Sequence, residues 1–273
     1  MRNKTSTGIF IRAYNAARLA GLLDLPAFRR VFLFSYFLYK RWYEDPFSSL
    51  VKRHPELFIE GDILDVGANI GYTACIFAAA RKASAKVYAF EPDQANFATL
   101  AEVLHRNDLA DSVEIFKIAV GKADGTLEFW HNDEHAADHR VVTAQFKTSG
   151  IDPAKISTVP VTSIDNFVAA HALRNISFIK VDVQGYELAV CEGMKQTLER
   201  FPSLSIVCEY APDGMRELGF EPAELLQFFR SAGYQLHMLT RRAIELATDD
   251  RLIETAAKDS GYVDLLCSRR TLD

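Results

Sequence analysis

Short, continuously apolar runs alternate along this chain with longer stretches in which apolar and polar positions are mixed, and turn residues separate the two kinds of segment. Ile63, Leu64 and Val66 end one such run, which reads as a strand buried on both faces; Ala74 to Ala80, beyond a glycine-rich turn, read as the helix it feeds. Val87 to Glu91 is the next strand, stopped by Pro92, and Asp93 caps a helix over about 93–107. A third strand is expected over Val113 to Ala119, with a turn at Gly121 and Gly125. Residues 126–165 break the alternation: Thr126 to Trp130 and Thr158 to Val161 are expected as strands of an inserted hairpin or small sheet around a polar, histidine-rich loop. Regular order resumes with Ile176 to Asp182, a helix from about 186, and Leu204 to Glu209. Pro222 opens a helix that Gly233 ends, and Tyr234 to Leu239 is expected to pair with Tyr262 to Cys267 as a terminal antiparallel hairpin. The order predicts an α/β fold: a mainly parallel sheet, helices on both faces and one reversed strand near an edge.

Ligands of such sheets bind beyond the carboxyl ends of the strands, and Asp65, Glu91, Ala119, Asp182 and Glu209 fall at or near those ends. Gly67 and Gly71 let the turn after the first strand come close to a ligand at the helix start. Glu91 stands where doubly wound folds grip a ribose diol. Asn69 occupies the place where a pyrophosphate needs a second glycine, and Asp65 repels an anion but attracts an ammonium group. A ligand with an amino acid at one end and a ribose at the other, S-adenosylmethionine, fits both acids. Asn69, Tyr72 and Thr73 are candidate donors to its carboxylate, and Ala119 is small enough to flank its adenine.

Asp65 to Gly71 with Tyr72-Thr73, then Phe90-Glu91-Pro92, then Ile179 to Glu187, resemble in order and spacing the FkbM family of S-adenosylmethionine-dependent methyltransferases, from about residue 60 to about 240. The resemblance implies a Rossmann-like class I methyltransferase fold with seven strands, one of them antiparallel, and methyl transfer to a hydroxyl of a small molecule, sugar or glycan. It places Asp182 and Gln184-Gly185 beside the methyl group and its acceptor, Asp182 either removing the acceptor proton or orienting the cofactor. Glu187 is an exposed or capping partner there, and Glu209-Tyr210 a candidate lining of the acceptor pocket. The run Asp138-His139-Arg140 resembles one in some family members, which makes His139 a candidate base and Asp138 or Arg140 a residue orienting it or the substrate. His131, His135 and His139 at four-residue spacing would share a helical face, but the segment is short, lies in a loop and has no cysteine, so no metal site is expected. Asp182 with Glu209 lacks an evident full set of Mg²⁺ ligands.

The composition fits one core with an appendage: 273 residues, 49% of them hydrophobic. Cys75, Cys191, Cys208 and Cys267 stand singly in apolar segments, as reduced core residues of a cytosolic protein do. A net charge of −5 gives no electrostatic footprint for nucleic acid. Residues 1–60 differ, with ten Lys and Arg against five Asp and Glu, and many aromatics. They are read as an N-terminal helical segment preceding a 61–273 domain that carries the insertion at about 121–165. That segment is either a cover packed on the domain or a surface for a membrane leaflet or partner protein. Its longest charge-free apolar run, Val31 to Tyr39, falls far short of the roughly 20 residues that span a bilayer. Two other functions stay open: a cofactor-binding interaction protein without transfer chemistry, and a nucleotide-dependent oxidoreductase. Acceptor identity and oligomeric state are not written in the pattern.

Overall fold

The computed structural model describes residues 25–132 and 138–272. Twelve strands form two sheets among them. The main sheet contains β1 (Asp62–Val66), β2 (Val87–Phe90), β3 (Val113–Phe116), β8 (Ile176–Val181), β9 (Ser205–Tyr210), β10 (Gln235–Leu239), β11 (Ile244–Leu246) and β12 (Val263–Ser268), in the order β11-β10-β12-β9-β8-β1-β2-β3. The small sheet holds β4 (Ala119–Val120), β5 (Gly125–Trp130), β6 (Arg140–Val141) and β7 (Ile156–Thr162), in the order β4-β7-β5-β6. The helices that matter for the site are α1 (Pro26–Tyr39), α2 (Phe47–Arg53), α3 (Tyr72–Ala80) and α4 (Gln94–Arg106).

The expected fold class holds, with a corrected strand count. β3-β2-β1-β8-β9 are parallel, β12 runs against both β9 and β10, and β11 runs against β10, giving eight strands with two reversed. β11 escaped the pattern because it is three residues long with two exposed, an edge strand that needs no apolar run. β10 and β12 pair in antiparallel register as expected, but β11 and an intervening helix replace the tight hairpin. The third strand ends early: the chain leaves the main sheet after Phe116, and Ala119 and Val120 pair with Val161 and Thr162 of the small sheet. Between Phe116 and Ala119 only Lys117 is polar, one exposed side chain within an apolar stretch, so periodicity does not mark the switch.

Every residue of β8 and β9 is buried, which puts these strands at the centre with a core on each face. Alternation along β8 sends Phe178 into one core with Ile63, Phe77 and Val207, and Ile179 and Val181 into the other with Met194, Phe229 and Leu265. Phe58 stacks between Phe77 and Phe178, at 5.8 and 4.5 Å between ring centroids, and Phe47 meets Phe77 edge-on at 5.5 Å. Packing therefore runs continuously across the boundary expected at residue 60. Ala119, Phe129, Val141, Val159 and Val161 form the separate core of the small sheet. All four cysteines are unpaired. No helix among the described residues is long and apolar enough to cross a membrane.

Candidate active site

A cavity of about 510 Å³ opens beyond the carboxyl ends of β1, β2, β8 and β9, where the strand order reverses direction. Gly67, Asn69, Tyr72, Thr73, Glu91, Ala119, His139, Arg140, Asp182 and Glu209 line it; Asp65, Gly71 and Asp138 do not. The fold thus gathers ten of the thirteen expected residues from six segments of the chain.

The glycine turn is shaped by close backbone approach. Gly67 has φ +78°, and a Cβ there would lie 1.9 Å from the carbonyl oxygen of Asp182. Its N–H and that of Ala68 both donate to the Phe90 carbonyl, which draws the ends of β1 and β2 together. Asn69 also takes a left-handed conformation, φ +51°, and its side-chain oxygen accepts from the N–H of Ile70 at 2.7 Å. Its contribution outward is its backbone N–H, which donates to Glu91 Oε2 at 2.9 Å. The Asp93 N–H donates to Glu91 Oε1 at 2.9 Å, so Glu91 is fixed at the cavity wall from both sides. Burial pushes the Glu91 carboxyl up to about 7, with Asp93 adding to the shift and the two N–H donors opposing it.

Beneath the turn, Asp65 is fully buried and accepts from the Thr73 hydroxyl at 2.7 Å. It faces Lys180, whose Nζ is 3.5 Å from Asp65 Oδ1. The sequence reading has Asp65 order the turn and meet a ligand's ammonium directly or through water; in the structure the cation beside it is Lys180 of this protein. Tyr72 likewise turns its hydroxyl to Asp45, donating at 2.9 Å. The hydroxyls of Tyr72 and Thr73 are thus engaged within the protein, and Asn69 is engaged through its side-chain oxygen. Helix α3 begins with no side-chain cap, so its amide end is the donor left at the turn.

Lys180 went unnoticed in the sequence reading, although a lysine inside the apolar strand Phe178-Ile179-Lys180-Val181 is itself a signal. Its Nζ donates to the Gly67 carbonyl at 2.7 Å and lies 3.4 Å from Asp182 Oδ2. Burial opposes its charge, yet the carboxylates of Asp182 and Asp65 outweigh that and hold its pKa above the usual lysine range. Gln184, at φ +57°, donates to Asp182 Oδ1 at 2.9 Å and to Glu209 Oε2 at 3.3 Å. Burial, then the neighbouring Asp182, Glu187 and Asp264, raise the Glu209 carboxyl well above the ordinary range. Glu187 is buried and capping: it accepts from the N–H groups of Val183 and Gly185, at 2.9 and 3.1 Å, closing the loop that presents Asp182.

The methyltransferase FkbM domain model matches residues 65–236, more than half of the chain. The chain belongs to the FkbM methyltransferase family. It is similar to the hexuronic acid methyltransferase AglP of Haloferax volcanii, 33% identical over 143 residues, which cover 51% of this chain and 53% of that protein. The chain thus spans about half the length of this curated relative. A crystal structure of methyltransferase FkbM from Methylobacillus flagellatus KT has the same fold, with a TM-score of 0.50 and 19% identity over 82% of this chain and 48% of that one.

The insertion that falls within the family match arranges its polar residues differently from expectation. Asp138 Oδ1 accepts from Arg140 Nε at 2.7 Å, and Arg140 also pairs with Glu217, so Asp138 orients the arginine and not the histidine. His139 Nδ1 accepts from the Asn132 N–H at 2.9 Å. Its Nε2 lies 3.8 Å from Asp93 Oδ1. His139 thus links the small sheet to Asp93 at the start of α4. Asp93, His131 and His139 place one candidate ligand atom each within 4.8 Å. They are held by hydrogen bonds: Asp93 Oδ1 caps α4 through Ala95 and Asn96, His131 joins Asp93 Oδ2 at 2.8 Å and Ser157 at 2.7 Å. His135 lies outside the described residues. The sequence reading also missed Asp45, Tyr262 and Asp264, which line the cavity from segments with no motif.

Proposed function

We propose that this chain is an S-adenosylmethionine-dependent methyltransferase that acts on a hydroxyl group of a sugar or glycan. The observation that carries the reading is Glu91, buried at the cavity wall and held by the N–H groups of Asn69 and Asp93. Each of its oxygens accepts one internal hydrogen bond and keeps capacity for a second, which suits a ribose diol. The Gly67 turn, closed against the Asp182 carbonyl, fits a cofactor whose chain lies flat on the backbone. The uncapped start of α3 suits its carboxylate, and Ile118 and Ala119 suit its adenine. When bound, the cofactor supplies a methyl group on a sulfonium that leaves as a neutral thioether.

The chain's own task is alignment and removal of one proton, and alignment alone is worth up to about 7–11 kcal/mol of barrier. Glu209, with its raised pKa, is the stronger base when ionised, and Asp182, joined to it through Gln184, orients the acceptor hydroxyl. Lys180 fixes Asp182 and the Gly67 carbonyl together, so the acceptor side and the cofactor turn move as one unit. The name of the Haloferax volcanii relative supports a sugar acceptor. The unpaired cysteines support a cytosolic setting. Family membership leaves the oxidoreductase reading without support.

Incubation with methyl-labelled cofactor and a panel of uronic-acid and neutral glycans, followed by mass analysis, tests the reading. Label in a sugar hydroxyl is the expected result. Cofactor binding with no label in any acceptor would favour the interaction-protein alternative.

A further inference from the structure

Helix α1 is amphipathic with its apolar stripe on the outside. Its inner side is anchored: Arg29 pairs with Glu102 at 3.3 Å and donates to Thr99 at 2.8 Å, both on α4, Leu33 is buried, and Phe37 meets Tyr72 edge-on at 5.3 Å. Its outer side carries Phe28, Val31, Phe34, Leu38 and, on the next turn, Trp42, at spacings of three and four residues that keep them on one face. All are exposed, Val31 to 65%, Phe34 to 71% and Trp42 to 62%. Large exposed stripes of this kind mark interaction surfaces.

The charges decide what fits. Residues 25–43 hold four basic side chains, Arg29, Arg30, Lys40 and Arg41, and no acidic one. Arg30 and Arg41 are exposed beside the stripe. A second copy of this helix, or the stretch 1–24 with four basic residues and one acidic, would set like charges against it. An anionic lipid surface complements both features, apolar side chains entering the acyl boundary and arginines meeting headgroup charge, with Trp42 and Tyr43 at the level where aromatic rings settle.

We propose that α1 docks the protein on an anionic bilayer surface through the Phe28–Trp42 stripe. Tyr36 on this helix and Lys40 just past its end line the cavity, so docking brings the cavity mouth to the lipid surface. The inference stands apart from the transfer reaction and is tested without an acceptor.

The full chain is floated with vesicles of phosphatidylcholine and phosphatidylglycerol in equal parts, and with phosphatidylcholine alone. Expected are binding to the anionic vesicles that weakens as salt rises, and a loss of at least about tenfold when Val31→Glu and Phe34→Glu are combined. Leu38→Ser with Trp42→Ser repeats the test on a second part of the stripe. Calorimetry with S-adenosylmethionine should give wild-type affinity for both variants, which checks their folding. Failure of the wild type to float with anionic vesicles, or flotation unchanged in both folded variants, overturns the proposal. So does light scattering that shows a wild-type dimer abolished by the substitutions without vesicle binding, since a second copy would then cover the face.

Discussion

The ammonium of Lys180 donates a 2.7 Å hydrogen bond to the carbonyl oxygen of Gly67, locking the strand that carries Asp182 to the turn after the first strand. The same ammonium stands between Asp65 and Asp182, at 3.5 and 3.4 Å. Lys180→Met keeps the length of the side chain and leaves Asp65 buried without its cation. Breaking a buried pair from one side costs about 3–5 kcal/mol, and denaturant unfolding should read a loss of that order. A loss below about 1 kcal/mol would mean that the lysine is not the counter-charge.

Gly67 and Gly233 separate strain from collision. Both have positive φ, +78° and +81°, but an added Cβ meets the Asp182 carbonyl at 1.9 Å at the first and nothing within 4 Å at the second. Alanine at Gly233 should cost only the backbone strain, about 1–3 kcal/mol. Alanine at Gly67 should cost clearly more and abolish cofactor binding. Equal thermal unfolding shifts for the two variants would refute the close approach.

Glu91 sets a pH dependence. Its carboxyl is raised to about 7, so between the ordinary carboxylate range and 7 the folded protein holds a proton that the unfolded chain has lost. Its stabilising contribution is complete at low pH and lost as pH rises through that window. Diol donors prefer the ionised form, so cofactor affinity should move the other way, weakening about tenfold from well above pH 7 down to pH 6. In Glu91→Gln both dependences should flatten. Titrations at several pH values check this, and a flat wild-type profile would contradict it.

Glu209 is expected to act as base, which requires its ionised form. Turnover should therefore fall as pH drops through its raised pKa, and Glu209→Gln should lower turnover by about 10²-fold or more with cofactor affinity unchanged. His139→Gln, by contrast, should spare turnover within about threefold, because that ring's acceptor nitrogen is already taken by Asn132. Steady-state kinetics with an identified acceptor decide between the two residues.

The strand–turn–helix around Gly67 was legible because its demands are local: an apolar run and two glycines that need positive φ sit side by side in the chain, and Asp93 marks the next helix in the same local way. The parallel sheet was legible in β8 and β9, whose burial on both faces goes with mostly apolar sequence. The partner of Asp65 was not legible, since Lys180 reaches it only once β1 and β8 pair, and a carboxylate beside a turn looks the same whether it faces a ligand or a lysine. The roles of Asn69 and His139 escaped for a related reason: which atom of each side chain is occupied depends on backbone N–H groups whose direction the pattern does not carry. The switch between Phe116 and Ala119 is marked only by Lys117, and one exposed lysine at the end of a strand does not announce a change of sheet.

The central claim is that Glu91 and the Gly67 turn hold S-adenosylmethionine in this cavity. Isothermal titration of wild type and Glu91→Gln with that compound tests it most directly. The account expects one-to-one binding by the wild type, weakened at least about tenfold in the variant, as the loss of a charge-assisted hydrogen bond implies. No heat of binding with folded wild type, or equal affinity in the two proteins, would contradict it.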